Sequence, residues 1–251
     1  MERISECANL QGKYLWHSGA PADEPFTLGF DEILARINRL LAGHGLAAVT
    51  LKAVPTENLP KLGVSKQYIA AAYGEELVAL AAEVPQLVVL DGDLSADCKV
   101  RGFHLKYPER FIETGIAEQD MVSVAGGMAR QGYLPVCNSF ATFLTARANE
   151  QIYNNACEGT KIIYATHFAG FIPAGPGKSH QSVRDISLMA SVPGMTVFQP
   201  CSADEARLAT RHAVLEATGN FALRLNIGPS PREIALPADY QLKPGCGTIR
   251  R

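Results

Sequence analysis

The sequence lacks the marks of a nucleic-acid-binding, membrane or secreted protein. Its 23 lysines and arginines nearly balance 25 aspartates and glutamates, and the net charge of −2 predicts no basic surface for nucleic acid or anionic lipid. No apolar run approaches membrane-spanning length, and the N-terminus MERISECANL has neither the basic start nor the apolar block of a signal peptide. We therefore expect a cytoplasmic protein that binds neither nucleic acid nor a membrane.

Cysteines are few and are not spaced as pairs. Because there is no CxxC motif and several of the six lie in apolar runs, we expect buried thiols rather than disulfides or a metal site. Repeats, charge blocks and low-complexity segments are also missing. The 251 residues suffice for one α/β domain with an extension. The cysteines are Cys7, Cys98, Cys137, Cys157, Cys201 and Cys246.

From residue 65 onwards, apolar strands alternate with helices. Ser65 is expected to cap a helix that ends near Glu83. Continuously apolar strands predict an α/β fold with a parallel sheet covered by helices on both faces. Ligands of such sheets gather where the strands end. Strands are predicted near 87–90, 111–114, 135–137, 162–166, 195–198 and 221–225, and helices follow Glu118 and cover about 140–156, 182–191 and 203–218.

The first 62 residues do not continue this alternation of strands and helices. An amphipathic helix is predicted over 31–41, a candidate strand over 47–51, and a linker at Pro55 and Pro60. We assign residues 1–62 to an N-terminal extension with its linker, 63–240 to the α/β domain and 241–251 to a C-terminal tail.

The stretch RFIETGIAEQDMVSVAGGMARQGYLPVCNSFATFLTAR, residues 110–147, organises the chain. It predicts strand, helix, strand and helix, with Glu118 in the first turn of a buried helix and Gly126-Gly127 letting another element approach. Two interpretations of Glu118 are open. It is either a first-turn acid favoured by the helix dipole or a carboxylate in an apolar cleft that exchanges a proton with a bound group.

The motifs GIAEQ and NSFATFLTAR resemble the pyrimidine-binding domain of the transketolase family, and the resemblance covers roughly residues 65–237. It implies the thiamine-diphosphate-binding fold and thiamine diphosphate as cofactor. In that chemistry a carboxylic acid in a dry cleft hydrogen-bonds the aminopyrimidine ring, and Glu118 matches this acid. The resemblance also implies that Phe143 stacks on the ring with Phe140 beside it, and that Asp93 and Leu94 support the cofactor.

The resemblance further implies residues for the substrate. His167 and His180 match two histidines that hydrogen-bond substrate and pass protons. His17, in a segment similar to the end of a diphosphate-binding domain, is expected to face the active site. Arg147 and Lys178 are the other candidate substrate ligands.

Three departures from the family pattern concern the substrate. Pro176 stands where the family has an aspartate for a donor hydroxyl. The positions that grip a sugar phosphate fall near Asp97, which is acidic, and near Leu225–Ile227, whose two end residues are apolar. An acid repels phosphate and an aliphatic side chain cannot bind it. We therefore expect an altered or missing phosphate site, unless Arg224 or Arg232 compensates.

A further departure concerns the metal. The family's Gly-Asp-Gly motif with a later Asn is not found; Asp91-Gly92-Asp93 is the reverse pattern. No metal site is expected in this chain, and Mg²⁺ or Ca²⁺ would be held by a partner chain or domain that carries the diphosphate-binding module. The assembly would be a homodimer or a heterotetramer. The chain would be either a split subunit or a fragment of a longer protein.

The expected function is transfer of a two-carbon ketol unit between sugars, which need not carry a phosphate. The alternatives left open are a deoxyxylulose-phosphate synthase-like enzyme, the beta chain of a 2-oxo-acid dehydrogenase, and a catalytically inactive scaffold subunit.

Overall fold

A computed structural model describes residues 23–51, 66–171, 177–230, 233–243 and 245. The chain divides into two compact units, one formed by residues 1–62 with 174–177 and the other by residues 63–173 with 178–251. The expected cap at Ser65, the linker prolines and the placement of His17 lie outside the described residues.

In the first unit, helix α1 spans Asp23–Gly43, so it begins eight residues before the predicted start. The candidate strand at 47–51 is wrong, because this segment has no regular structure. The Asn38 side chain explains the difference. It donates to the Val49 carbonyl (3.0 Å) and accepts from the Val49 amide (2.8 Å), so the segment folds back on its own helix. These bonds satisfy the backbone groups that a neighbouring strand would otherwise pair.

The second unit is built on a six-stranded sheet, in which every neighbouring pair is parallel. The strands are β1 (Leu87–Asp91), β2 (Phe111–Glu113), β3 (Leu134–Phe140), β4 (Ile163–His167), β5 (Thr196–Phe198) and β6 (Phe221–Leu225), in the spatial order β2-β1-β3-β4-β6-β5. The four central strands are buried along their whole length. This explains their continuously apolar sequences, and the predicted α/β fold class is confirmed.

Helices cover both faces of this sheet. On one face, Tyr73 and Leu77 pack on alternate strand residues such as Val89 and Val136; on the other, Met121 packs with the intervening residues. The helices are α2 (Ile69–Glu83), α3 (Arg101–Lys106), α4 (Glu118–Arg130), α5 (Ala141–Arg147), α6 (Asn149–Cys157), α7 (Asp185–Ala190) and α8 (Ala203–Arg211), with a π-helical turn at His212–Glu216.

The single helix predicted over 140–156 is in fact two. The chain leaves helical geometry at Ala148 (φ −100°, ψ 19°), so α5 ends at Arg147. Leu144, Ala148 and Ile152 are all fully buried, and their spacing of four continues across the break. The apolar spacing of a single helix therefore continues across a point at which the backbone is not helical.

Of the described cysteines, Cys98 and Cys137 are buried as expected, whereas Cys157 and Cys201 are exposed; all four are free. Within the described part of the chain, no helix is both long and apolar enough to cross a membrane.

Only one glycine of the Gly126-Gly127 pair permits a close approach. A Cβ on Gly126 would lie 2.2 Å from Asn155 Oδ1, while a Cβ on Gly127 would meet nothing within 4 Å. Asn155 cannot move away without loss, because its Nδ2 donates to the Val122 carbonyl (2.9 Å). This contact joins α6 to α4.

Alanine at these two positions should therefore have opposite effects. Gly126→Ala should lower the free energy of unfolding by about 1–3 kcal/mol through overpacking, whereas Gly127→Ala should raise it by about 0.5–1 kcal/mol through helix propensity. Urea denaturation of the two variants measures both changes. Two variants of equal stability would contradict the packing described for Gly126.

Candidate active site

Several of the described residues predicted for function lie where the strands end. Glu113, the last residue of β2, joins two of the loops at this edge. Its Oε1 accepts hydrogen bonds from the amides of Asp93 (2.9 Å) and Gly115 (2.8 Å), in the loops that follow β1 and β2. Gly115 adopts φ +67°, where glycine carries no steric cost, and the chain then turns into α4. Sequence reasoning missed Glu113, although its position at the end of a predicted strand was a signal.

Glu118 is the first residue of α4 and is only 3% exposed. Arg147 Nη1 lies 2.8 Å from its Oε1 and 3.0 Å from its Oε2, and the Ser139 hydroxyl donates to Oε1 at 3.4 Å. The Arg147 guanidinium carbon lies 4.2 Å from the centre of the Phe143 ring. We call Glu118, Ser139, Phe143 and Arg147 the Glu118 cleft. A buried carboxylate is tolerated here because it has a cation and a helix N-terminus beside it.

A cluster of aromatic rings lies next to the Glu118 cleft. Phe140 lies 5.7 Å from Phe143 and 5.4 Å from Phe168 between ring centres, and His180 lies edge-on to Phe143 at 5.2 Å. Phe168 is buried with φ +56°, a conformation that strains a bulky side chain. The His180 Nδ1 lies 2.8 Å from the hydroxyl of Ser179. The structure thus brings His180 and both predicted phenylalanines together.

His167 has different surroundings. It is fully buried, its Nε2 lies 3.3 Å from Asn138 Oδ1, and the Tyr73 hydroxyl donates to the same oxygen at 2.6 Å. Burial, and to a lesser extent the charge of Lys99, lowers the pKa of His167 to about 3, so the imidazole is neutral at physiological pH. Its Nδ1 has no hydrogen-bond partner in the described part of the chain. No pattern in the sequence predicts that this nitrogen is buried without a partner.

The predicted Asp93-Leu94 pair lies in the turn after β1. Asp93 is exposed with φ +60°, and the Leu94 amide donates to Asp91 Oδ2 at 2.7 Å. Asp91 is fully buried, and burial raises its pKa to about 7, although the hydrogen bond from Leu94 opposes the shift. Asp91 therefore shapes the turn that presents Asp93. Its role was missed because it was considered only as part of a metal motif.

Lys178 is exposed in a short 3₁₀ turn, Gly177–Ser179, two residues before His180. His17, Pro176 and Arg232 lie outside the described residues, so their predicted roles cannot be located in the structure. Among the residues that are described, no three His, Cys, Asp or Glu side chains converge as metal ligands.

Arg224 is ion-paired in the structure, so the predicted compensation would require this pair to open. Its Nε lies 2.5 Å from Asp185 Oδ2, its Nη2 lies 3.3 Å from Oδ1, and its Nη1 donates to Gln199. Arg224 is 9% exposed and Asp185 only 2%. Asp185 and Gln199 together accept three hydrogen bonds from the guanidinium, so a substrate phosphate would have to compete with a buried ion pair.

The Glu118 cleft offers a buried carboxylate beside an aromatic face, which is compatible with an aminopyrimidine ring. Arg147 shows that a planar group can lie over the Phe143 ring while one of its N–H groups hydrogen-bonds both oxygens of Glu118. A pyrimidine ring presents the same combination of a flat face and an edge that hydrogen-bonds.

Fold and cleft together define an α/β module with a candidate ring-binding site, and comparison with known proteins gives its family. Residues 65–227 match the family described as "Transketolase, pyrimidine binding domain". The chain belongs to the transketolase family, whose enzymes depend on thiamine diphosphate.

Three curated relatives illustrate the match. The chain is 40% identical over 131 residues (51% of its length) to a putative transketolase C-terminal section of Methanocaldococcus jannaschii. It is 31% identical over 170 residues (67%) to the 6-deoxy-6-sulfo-D-fructose transketolase subunit SqwH of Clostridium sp. strain MSTE9. It is 30% identical over 179 residues (71%) to the 1-deoxy-D-xylulose-5-phosphate synthase of Chlorobium luteolum. The matches span 41%, 52% and 28% of these relatives, respectively.

Solved structures agree with the fold. One described as "Split gene transketolase, inactive beta4 tetramer" is 36% identical with a TM-score of 0.62, over 72% of this chain and 58% of the other. The transketolase of Campylobacter jejuni, 20% identical with a TM-score of 0.63 over 86% of this chain and 35% of the other, supports the fold alone.

Proposed function

We propose that this chain is the pyrimidine-binding component of an enzyme that transfers a two-carbon ketol unit between sugars. The observation that carries the proposal is the carboxylate of Glu118, buried at a helix N-terminus beside the face of Phe143. Thiamine diphosphate, when bound, supplies a thiazolium carbon that attacks a carbonyl and then stabilises the negative charge.

The residues of the chain would prepare that chemistry. Glu118 would hold or release a proton at the ring nitrogen that faces it, because a carboxyl group enclosed in an apolar cleft can share a proton with a hydrogen-bonded base. Phe143 would stack on the ring, with Phe140 supporting it from the end of β3. Asp93 and Leu94 would contact the cofactor from the turn after β1, which Asp91 shapes.

The substrate would lie beyond the ring, next to His180. His180 is half-buried against Phe143, where it could hydrogen-bond a carbonyl or hydroxyl oxygen. Lys178 and His17 remain proposed substrate ligands, and Arg147 reaches a substrate only after it leaves Glu118. Since the ring of His167 is neutral and enclosed, we propose for it a hydrogen-bonding role through Nδ1 rather than proton transfer.

The cofactor's diphosphate would be bound by another chain or domain, together with Mg²⁺ or Ca²⁺. The match to a transketolase C-terminal section and to a split-gene transketolase supports such a division, and the description of the beta4 tetramer as inactive supports the need for a partner. A homodimer and a heterotetramer with that partner both fit this division. A cytoplasmic location stays a prediction from the sequence.

An unphosphorylated or otherwise modified sugar is the proposed substrate. Among the described residues, Arg224 is ion-paired, Asp97 is an exposed acid and Leu225 is buried and apolar, and these properties disfavour a phosphate at their positions. The name of the SqwH subunit, a transketolase for a sulfo-sugar, supports a non-phosphate substrate class.

A deoxyxylulose-phosphate synthase-like activity is the second candidate, favoured by the identity with that enzyme over 71% of the chain. Decarboxylation of pyruvate by the assembled enzyme would support this activity or that of a 2-oxo-acid dehydrogenase beta chain. An inactive scaffold is the remaining alternative, and the activity of the Glu118→Gln variant distinguishes it from a catalytic subunit.

Calorimetric titration of thiamine diphosphate with Mg²⁺ tests the proposal. The full chain alone should bind weakly, and addition of the chain that carries the diphosphate-binding module, sought among the genomic neighbours, should tighten binding at least tenfold. Equally tight binding without the partner would contradict the proposed division of the site. Failure to bind in both cases would support a scaffold.

A further inference from the structure

The Arg147 side chain makes both contacts that the proposed function requires of the cofactor's ring. Its planar guanidinium lies over the Phe143 ring, with 4.2 Å between the guanidinium carbon and the ring centre. The same group donates to both carboxylate oxygens of Glu118, at 2.8 and 3.0 Å. A pyrimidine ring that stacked on Phe143 and hydrogen-bonded Glu118 would need the same space and the same acceptor. The two groups exclude each other.

The exposure of the two partners indicates which one can move. The Arg147 side chain is 46% exposed, whereas that of Glu118 is 3% exposed. Arg147 is also the last residue of α5, directly before the chain leaves helical geometry at Ala148. A half-exposed arginine at a helix end can turn its charge into water. The Glu118 side chain is instead buried at the start of α4 and hydrogen-bonded by Ser139.

The pairing has a physical reason in the cofactor-free chain. A buried carboxylate without a partner is costly, and an arginine that fits it with two hydrogen bonds and stacks on a ring relieves that cost. A ring that bound in the same place would offer a hydrogen bond to the carboxylate and a contact with Phe143 instead of the two hydrogen bonds, the charge and the ring contact of Arg147. The free energy of ring binding is then the difference between the free energies of these two sets of contacts.

We propose that Arg147 occupies the place of the pyrimidine ring in the cofactor-free chain and must be displaced when the ring binds. Arg147 thereby sets the affinity for the ring and leaves Glu118 available only after the exchange. This inference rests on the proposed function, because it assumes that the ring binds in the Glu118 cleft.

The test uses the ring alone, so that the diphosphate and the partner chain do not contribute. The probe is 4-amino-5-hydroxymethyl-2-methylpyrimidine, titrated into the full chain and followed by the NMR signal of its methyl group. Arg147→Met should bind the probe about tenfold more tightly than the unmodified chain, since the competitor is gone. Arg147→Lys should fall between the two, because an ammonium keeps the charge but cannot stack as a plane.

A matched control removes a similar arginine elsewhere. Arg130 pairs with Glu158 on the surface, with the two side chains 64% and 53% exposed. Arg130→Met therefore changes the net charge equally but should leave probe affinity unchanged. Thermal unfolding of each variant verifies the fold, and Arg147→Gln serves as a second uncharged variant if the methionine destabilises the chain.

The outcomes separate the two proposals. Tighter binding by Arg147→Met but not by Arg130→Met supports the exchange. If the unmodified chain binds the probe and Arg147→Met binds it equally or more weakly, the inference is overturned while the proposed function stands. If neither the unmodified chain nor its Arg147 variants bind the probe, both the inference and the proposed place of the ring are overturned.

Discussion

Glu118→Gln should lower kcat/KM for ketol transfer by the assembled enzyme by about 10²–10⁴-fold, the range typical of a lost acid–base group. Glutamine keeps the size of the side chain and can still hydrogen-bond a ring, but it cannot accept or release a proton. The change also leaves Arg147 without its anion. Steady-state kinetics with saturating thiamine diphosphate measures the loss, and titration of the cofactor separates it from weaker binding.

Asp120 supplies the matched control, because it is also an acid in the first turn of α4 but is exposed. If Glu118 were only a first-turn acid that favours the helix dipole, Asp120→Asn and Glu118→Gln would have similar small effects. We expect Asp120→Asn to retain nearly full activity. Full activity of Glu118→Gln would instead remove the proton-exchange role and favour a scaffold or a site elsewhere.

The sheet could be predicted because its strands are simple in sequence. A strand buried on both faces must be apolar at every position, as in Leu87–Asp91 and Phe221–Leu225, apart from the polar residues near the ends. The end of α5 could not be predicted in this way, since the spacing of Leu144, Ala148 and Ile152 is the same in one helix as in two.

The sequence predicts the location of a site residue only when that residue comes shortly after the end of a predicted strand. Glu118 and Phe140 follow from the ends of predicted strands, because parallel strands end at the same edge. The pairing of Arg147 with Glu118 joins residues 29 positions apart, and it depends on where α5 stops. The enclosure of His167 by Tyr73 and Asn138 likewise requires three separate elements to meet. Neither contact leaves a periodic signal in the sequence.

The buried pair of Arg224 and Asp185 predicts the largest loss of stability. Arg224→Met should lower the free energy of unfolding by about 3–5 kcal/mol, because it leaves a carboxylate that is 2% exposed without its cation. Replacing both partners, as in Arg224→Met with Asp185→Leu, should recover most of that stability, since no buried charge is left unpaired. Denaturant unfolding of the two single variants and the double variant measures the coupling between the residues.

The same variants decide whether Arg224 has any part in substrate choice. If it gripped a phosphate, Arg224→Met would raise KM for a phosphorylated ketose selectively and would cost little stability. We expect the reverse: a large loss of stability, and an unchanged ratio of kcat/KM between the phosphorylated and the free ketose in the double variant. A strong preference of the unmodified enzyme for the phosphate ester, lost in the double variant, would show that the ion pair opens during turnover. The guanidinium already has Asp185 and Gln199 as acceptors, so such an opening would have to expose a buried carboxylate.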